Sequence, residues 1–279
     1  MYSQNTAELK LSVLMSICSR DNAGYLDAAI ESIVNQTKSA DEIVIVKDGT
    51  LTNELSCLIE QWQQKHPGLL KIVSLPENRG LGVALQQGLK ACSYSIIARM
   101  DADDISCPER FEKQLRFLQD NPDIAVVSSW MACCEDDPDK IIFIRKMPQK
   151  HEDIKKIARY RNPVLHPPAM FRRSEVEAVG GYTDLQRNQD YHLWVRMLLK
   201  GSKITCIPEP LYKFRCDGNF LKRRTDLKHA ISMIKLQKEF VKMGFTSYPQ
   251  YLFNIGVRIS ACILPVPVTR FIRTKLLTL

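Results

Sequence analysis

The sequence predicts an α/β protein built on a mostly parallel sheet with flanking helices. Three observations predict it. Short, continuously apolar runs rich in Val, Ile and Leu read as strands buried on both faces. Longer segments of helical periodicity alternate with them. The chain of 279 residues is 45% hydrophobic and 25% charged, enough to build a sizeable core.

The elements follow in order. Residues 11–17 form the first apolar run. Residues 23–36 follow with Leu26, Ile30, Ile33 and Val34 on one helical face. Residues 43–46 are a second buried strand, closed by Lys47-Asp48-Gly49, and residues 51–65 a second helix, stopped by His66-Pro67-Gly68. Residues 70–75 read as a third strand. Residues 80–91 read as a third helix with Leu81, Ala84, Leu85, Gly88 and Leu89 inward. Residues 95–100 are a fourth strand running directly into Asp101-Ala102-Asp103-Asp104. Pro108 opens a helix to about residue 121, since proline suits a first helical turn. Residues 124–129 are a fifth strand. Beyond them the pattern is less regular: an extended stretch at 166–171, a turn at Gly180-Gly181-Tyr182, and amphipathic helices at 190–200 and 227–243. Residues 248–279 are apolar, with four basic and no acidic residues, and are expected to form amphipathic helices.

Composition excludes several classes. It is unlike a disordered chain, a collagen-like repeat or a polytopic membrane protein. The formal net charge is +8, but residues 1–212 carry −2 and residues 213–279 carry +10. A nucleic-acid binder with a uniformly basic surface is therefore not expected, and a local anionic partner is. Nine cysteines, an odd number without zinc or disulfide spacing, read as reduced, mostly buried thiols. Residues 1–10 lack a signal-peptide core, and no apolar stretch reaches the length of about 18 residues needed to span a bilayer. The expected location is the cytoplasm.

In open parallel sheets ligands bind at the carboxyl ends of the strands. The sharpest feature there is Asp101-Ala102-Asp103-Asp104. Three carboxylates within four residues repel one another unless a cation or donor lies between them. An isolated D-x-D also reads as a solvated acidic turn. The preceding apolar strand and the proline-opened helix after it favour a magnesium or manganese site that shares a diphosphate. Asp48 can accept from a base N–H or a sugar hydroxyl, or simply make an Asp-Gly turn. Arg79 opens a helix and can pair with phosphate at its positive end. Gly80 and Gly82 do not make a dinucleotide fingerprint, because position 85 is Leu where the third glycine belongs. Asp190, at the start of the helix carrying Trp194, reads as an N-cap or as a general base. His166 contacts substrate or metal, or packs within its loop.

In order along the chain, Val13-Leu-Met-Ser16, Val46-Lys-Asp-Gly49, Asn78-Arg-Gly80, Met100-Asp-Ala-Asp-Asp104, Gly180-Gly-Tyr182 and Gln189-Asp-Tyr-His-Leu-Trp194 resemble the family 2 glycosyltransferases. These are inverting enzymes of the GT-A nucleotide-diphospho-sugar transferase fold, a Rossmann-like sheet with flanking helices. The nearest resemblance is to bacterial enzymes of O-antigen and exopolysaccharide synthesis, over residues 11–215. It implies a catalytic domain at 1–215, with a nucleotide-sugar half to about residue 130 and an acceptor half at 131–215. Residues 216–279 would be a basic helical region, attached to the membrane interface or else packed on the core or in a dimer interface.

The resemblance also implies roles. Asp48 would contact the base and Arg79 the diphosphate. Asp101 would bind ribose or support the metal site. Asp103 would ligate Mn2+ or Mg2+, with Asp104 a supporting carboxylate or an alternative ligand. Gly180 and Gly181 would let the backbone approach sugar and acceptor, and Asp190 would be the catalytic base. His166, Lys222, Arg223 and Arg224 are candidate phosphate or acceptor contacts. Where the family usually has Glu-Asp this chain has Gln189-Asp190, and where it often has a Gln or Arg pair with Trp this chain has Leu221-Lys-Arg-Arg224. The implied reaction moves a hexose from UDP-Gal, UDP-Glc or UDP-GlcNAc to a saccharide on a polyprenyl diphosphate. One displacement gives a β-linkage, at the cytoplasmic face of the inner membrane.

Rival readings fit less well. An aspartyl phosphotransferase normally has Thr or Val where Ile105 stands, and carries its motif on the first strand. A nucleotidyltransferase normally has a glycine-rich basic signature near the N-terminus, but residues 11–20 contain no glycine. A non-enzymatic membrane-surface module would leave the acidic cluster without purpose.

Overall fold

A computed structural model describes residues 9–216 and 227–263. Four parallel strands form one half of the sheet: β1 (Leu11–Ile17), β2 (Glu42–Asp48), β3 (Leu70–Leu75) and β4 (Ile96–Met100), in the order β3-β2-β1-β4. Their crossovers are α1 (Ala23–Val34), α2 (Asn53–Lys65) and α3 (Leu81–Ala91). The helices begin where the sequence gives them caps. Asn22 Oδ1 accepts from the Tyr25 amide, and Thr52 Oγ1 from the Leu55 amide.

The second half is mixed. After β4 come β5 (Ile105–Ser106), α4 (Arg110–Asp120), β6 (Ile124–Cys134), β7 (Ile141–Arg145), α5 (His151–Ala158), β8 (Met170–Arg172) and α6 (Arg173–Glu177). Then α7 (Gln189–Lys200), β9 (Lys203–Arg215), α8 (Leu227–Lys242) and α9 (Tyr248–Ile263) follow. The expected fifth strand is β6, five residues longer than its apolar run suggests and not in parallel contact with β4. Antiparallel β8 lies between them. β9 then pairs parallel to β6, β5 antiparallel to β9, and β7 antiparallel to β6. Most paired residues still lie in parallel ladders.

The sheet is covered on both faces. On one, Leu26, Ile30, Leu55, Ile59, Phe111 and Leu115 of α1, α2 and α4 pack on Leu11, Val13, Ile43 and Ile45. On the other, Ala84, Leu85, Leu193, Trp194 and Phe240 of α3, α7 and α8 pack on Leu14, Val44, Val46 and Ile97. Alternate strand residues face alternate sides. Arg99 therefore points, with Ile97, to the α3–α7 face. The eight described cysteines are all free and only Cys57 is exposed. No helix among the described residues is long and apolar enough to cross a membrane.

Candidate active site

The parallel ladder brings Asp48, residues 78–80 and Asp101–Asp104 to one rim, at the carboxyl ends of β2, β3 and β4. Asp48 is buried, and both its oxygens are engaged: Oδ1 accepts from the Arg79 amide at 2.7 Å and Oδ2 from the Gly80 amide at 2.9 Å. Asn78 Nδ2 donates to the Asp48 carbonyl at 3.2 Å. Asp48 thus fixes the loop entering α3. Gly49 has φ +86°, and a Cβ there would strike the Asn78 backbone, so the turn requires glycine. The Arg79 side chain is half exposed, 4.0 Å from Glu77 Oε1.

One carboxylate oxygen from each of Asp101, Asp103 and Asp104 lies within 4.8 Å of the other two. Asp104 is fully buried. Its Oδ1 accepts from the Arg215 amide at 2.9 Å, and its Oδ2 is buried without a hydrogen-bond partner. Desolvation, then the Asp101 charge, pushes Asp103 up to about 6. Desolvation and the charges of Asp101 and Asp103 hold Asp104 well above the carboxylate range. An all-oxygen donor set with an orphaned buried acceptor and mutually repelling charges fits a hard divalent cation.

Two residues that sequence reasoning passed over support this cluster. Arg99 is fully buried and forms an ion pair with Asp101 Oδ1, while its Nε and Nη1 have no partner. The Asp101 charge and hydrogen bond raise its pKa against the cost of burial. The signal lay in plain view, as a guanidinium inside an otherwise apolar strand. Tyr212 on β9 accepts from the Asp101 amide at 3.1 Å. Arg110, also fully buried, donates to the Arg99 carbonyl at 2.7 Å and lies 5.1 Å from the Tyr212 ring centre.

Asp190 lies in the first turn of α7, two residues past the N-cap, Asn188, whose φ is +63°. It is therefore not the cap. Its Oδ2 accepts from Asn162 Nδ2 at 2.5 Å. Burial pushes its pKa up, against the Tyr191 amide, the Asn162 amide and the Arg99 charge, which pull it down. Arg99 thus acts electrostatically on both the acidic cluster and Asp190. Asn162 has no signal in the sequence, since an asparagine after Arg161 reads only as loop.

The remaining candidates sit differently. His166 is 5% exposed, its Nε2 2.9 Å from Tyr182 Oη and its ring edge-on to Trp194. Burial, then the Arg99 charge, holds its pKa well below the usual imidazole range. A buried neutral imidazole packs and positions Tyr182, and it offers no cation to a phosphate. Gly180 and Gly181 both have positive φ, and a Cβ on Gly181 would collide with the Gln86 amide, which accepts from the Tyr182 amide at 2.7 Å. Gly181 therefore lets the turn close on α3. Lys222, Arg223 and Arg224 lie outside the described residues.

Comparison with known proteins agrees with this geometry. The profile of glycosyl transferase family 2 matches residues 12–180, more than half the chain. A UDP-Gal:alpha-D-GlcNAc-diphosphoundecaprenol beta-1,3-galactosyltransferase of Escherichia coli is 35% identical over 268 residues, 96% of each chain. An amylovoran biosynthesis glycosyltransferase of Erwinia amylovora is 33% identical over 264 residues, 95% of this chain and 98% of its own. Among solved structures, a mannosyltransferase from Pyrobaculum calidifontis in complex with GDP-Man and Mn2+ superposes with a TM-score of 0.63 at 17% identity. That match covers 96% of this chain and 80% of the other. Residues 1–349 of S. aureus TarS in complex with UDP give 0.60 at 16%, covering 97% and 88%. These two likenesses concern the fold.

Proposed function

The chain belongs to glycosyl transferase family 2, and we propose that it is an inverting hexosyltransferase. Its donor is a UDP-hexose (UDP-Gal, UDP-Glc or UDP-GlcNAc) and its acceptor a saccharide carried on a polyprenyl diphosphate. The product is a β-linked unit of an O-antigen or exopolysaccharide. Family membership leaves no room for the phosphotransferase and nucleotidyltransferase readings. The observation that carries the proposal is the convergence of Asp101, Asp103 and Asp104 at the rim that also presents residues 78–80.

The residues divide the work. Asp48 holds the loop 78–80, so that Arg79 and the first amides of α3 face the diphosphate. Asp103 and Asp104, supported by Asp101, would hold Mn2+ or Mg2+; when bound, that ion supplies positive charge opposite the departing diphosphate. Asp190 takes the proton from the acceptor hydroxyl as that oxygen attacks the anomeric carbon from the face opposite the leaving group. Its raised pKa makes it a stronger base than an exposed aspartate. Arg99 pairs with Asp101 and orients its carboxylate. Gly180 and Gly181 shape the turn beside the sugar. Arg223 and Arg224 remain candidate contacts for acceptor phosphate.

The acceptor implies a membrane surface, the cytoplasmic face of the inner membrane. Support comes from α9, which turns polar Asn254 inward and leaves Tyr248, Leu252 and Phe253 outward, 63%, 54% and 45% exposed. Such a face, with the basic residues that follow it, suits interfacial attachment.

Transfer to a polyprenyl-diphosphate-linked saccharide, measured with a panel of nucleotide sugars with and without Mn2+, tests the proposal. One UDP-hexose should be used in the presence of the metal. Asp103→Ala should abolish metal-dependent UDP binding, while Asp190→Asn should bind UDP but turn over at least about 100-fold more slowly. Full rate in Asp190→Asn, or equal UDP affinity in chelator and in Mn2+, would remove the assigned roles.

A further inference from the structure

Strand β7 is an apolar run that the core does not use. Ile141, Ile142, Phe143 and Ile144 are 44%, 54%, 46% and 43% exposed, on both faces of the ladder. Among the described residues β7 pairs only with β6, over Met131–Cys134, so its outer edge presents unpaired backbone groups. Soluble proteins normally blunt such an edge with an internal lysine or proline. Here Lys140 and Arg145 stand only at its ends, and the one interruption is a bulge that leaves Ile142 as the extra residue in the ladder with β6.

The hairpin is held firmly. Tyr25 Oη donates to Asp136 Oδ1 at 2.7 Å, and Arg215 donates to the Asp136 carbonyl. Its two ends differ in charge. Glu135, Asp136, Asp137 and Asp139 precede the strand together with Lys140, a net charge of −3; Arg145, Lys146 and Lys150 lie at or after its close, +3. Asp139 reaches Lys213 with one oxygen at 2.7 Å, yet its side chain is 85% exposed.

We propose that β7 is a homodimer interface, covered by the β7 strand of a second copy running antiparallel to it. Self-pairing satisfies the open backbone edge and sets apolar side chains against each other across the strands. Its two-fold symmetry brings the acidic end of each copy to the basic end of the other, twice. With the axis at Ile142, Ile142 faces its own counterpart and Asp139 faces Arg145 of the second copy. An anionic bilayer would match only the basic end and would meet four carboxylates at the other, whereas a second antiparallel copy matches both ends, which argues for the protein partner over a lipid surface.

Sedimentation velocity on the full chain tests this, independently of any glycosyl transfer. The wild type should be a dimer. Ile142→Lys sets two ammonium groups against each other at the axis and should weaken self-association at least about tenfold. Its near-ultraviolet circular dichroism should be unchanged, because the site is exposed. Ile142→Cys should give an oxidative cross-link absent from the wild type and from Lys146→Cys. A monomer at every concentration would overturn the proposal. So would a dimer indifferent to Ile142→Lys with no cross-link at position 142. Flotation of a monomer with anionic vesicles, lost in Ile142→Lys, would assign the strand to lipid and overturn it equally.

Discussion

At Asp190, the proposed base, burial and the hydrogen bonds that oppose it set how basic the carboxylate can be. The group must be ionised to accept a proton, so activity falls as pH drops through its pKa. Burial raises that pKa, and the Asn162 hydrogen bond opposes the rise. Asn162→Ala removes the opposing contact, so the acidic limb of the kcat/KM profile should move to higher pH, and kcat should fall as the carboxylate loses its fixed orientation. An acidic limb that stays in place would remove Asn162 from the site. The acidic cluster has its own sign. Asp103, pushed up to about 6, and Asp104, also raised, hold protons that a divalent ion must displace. The Mn2+-induced rise in Tm should therefore be full above that value and disappear as pH falls about two units below it. Thermal melts across pH, with and without metal, read this directly. Asp103 and Asp190 were legible as candidates because each stands at the end of an element where such a sheet presents its ligands, although a solvated turn and an N-cap read there as well. Asn162 and Tyr212 were not, since each matters only through a neighbour distant in the chain; Arg99 carried a signal, a guanidinium inside an apolar strand, but not its partner.

Among the elements, the parallel strands were legible because burial on both faces leaves an unbroken apolar run, as in Ile43-Val44-Ile45-Val46. Strand β9 was not. Pro208, Glu209 and Pro210 interrupt its pattern, and its ladder with β6 shifts register at Trp130, opposite Pro210. Strand β8 is three residues long, and α6 is a single short helix, below what periodicity can register. Helix α3 shows what the parallel half demands of its cover. A Cβ at Gly88 would run into the Leu14 and Val46 side chains, so the helix lies against β1 and β2 at a distance only glycine allows. Gly88→Ala gains about 1 kcal/mol of helix propensity but incurs about 1–3 kcal/mol of overpacking. A net loss of up to about 2 kcal/mol is expected in urea unfolding. The loop 78–80 leads into this helix, so a displaced α3 should also weaken UDP binding. A stabilised Gly88→Ala protein would mean the helix can retreat freely.

For the molecule as a whole, the charge boundary near residue 215 does not coincide with an edge of the core. Sequence composition marks residues 216–279 as a basic appendage. Yet Phe240 of α8 is fully buried, with its ring 4.9 Å from that of Tyr191 and packed among Leu193, Trp194 and Phe245. Met233 and Leu236 join the same cluster. Helix α9 is tied in by Asn254, which donates to the Arg159 carbonyl at 2.8 Å and to Gln237 Oε1 at 2.9 Å. Two truncations should therefore behave differently. Ending the chain after Arg215 uncovers Tyr191 and the helix that carries Asp190; losing even one core phenylalanine typically costs about 3–5 kcal/mol, against a total stability of about 5–15 kcal/mol. That protein should lose cooperative unfolding and transferase activity together. Ending it after Ser247 removes α9 and the residues that follow it, and exchanges the Asn254 hydrogen bonds to the Arg159 carbonyl and Gln237 Oε1 for water, at about 0.5–1.5 kcal/mol each. It should still unfold cooperatively and bind UDP, while losing its share of membrane attachment. A cooperative transition at an unchanged midpoint in the shorter chain would show that α8 covers α7 without supporting it, and that the base is held by the sheet alone.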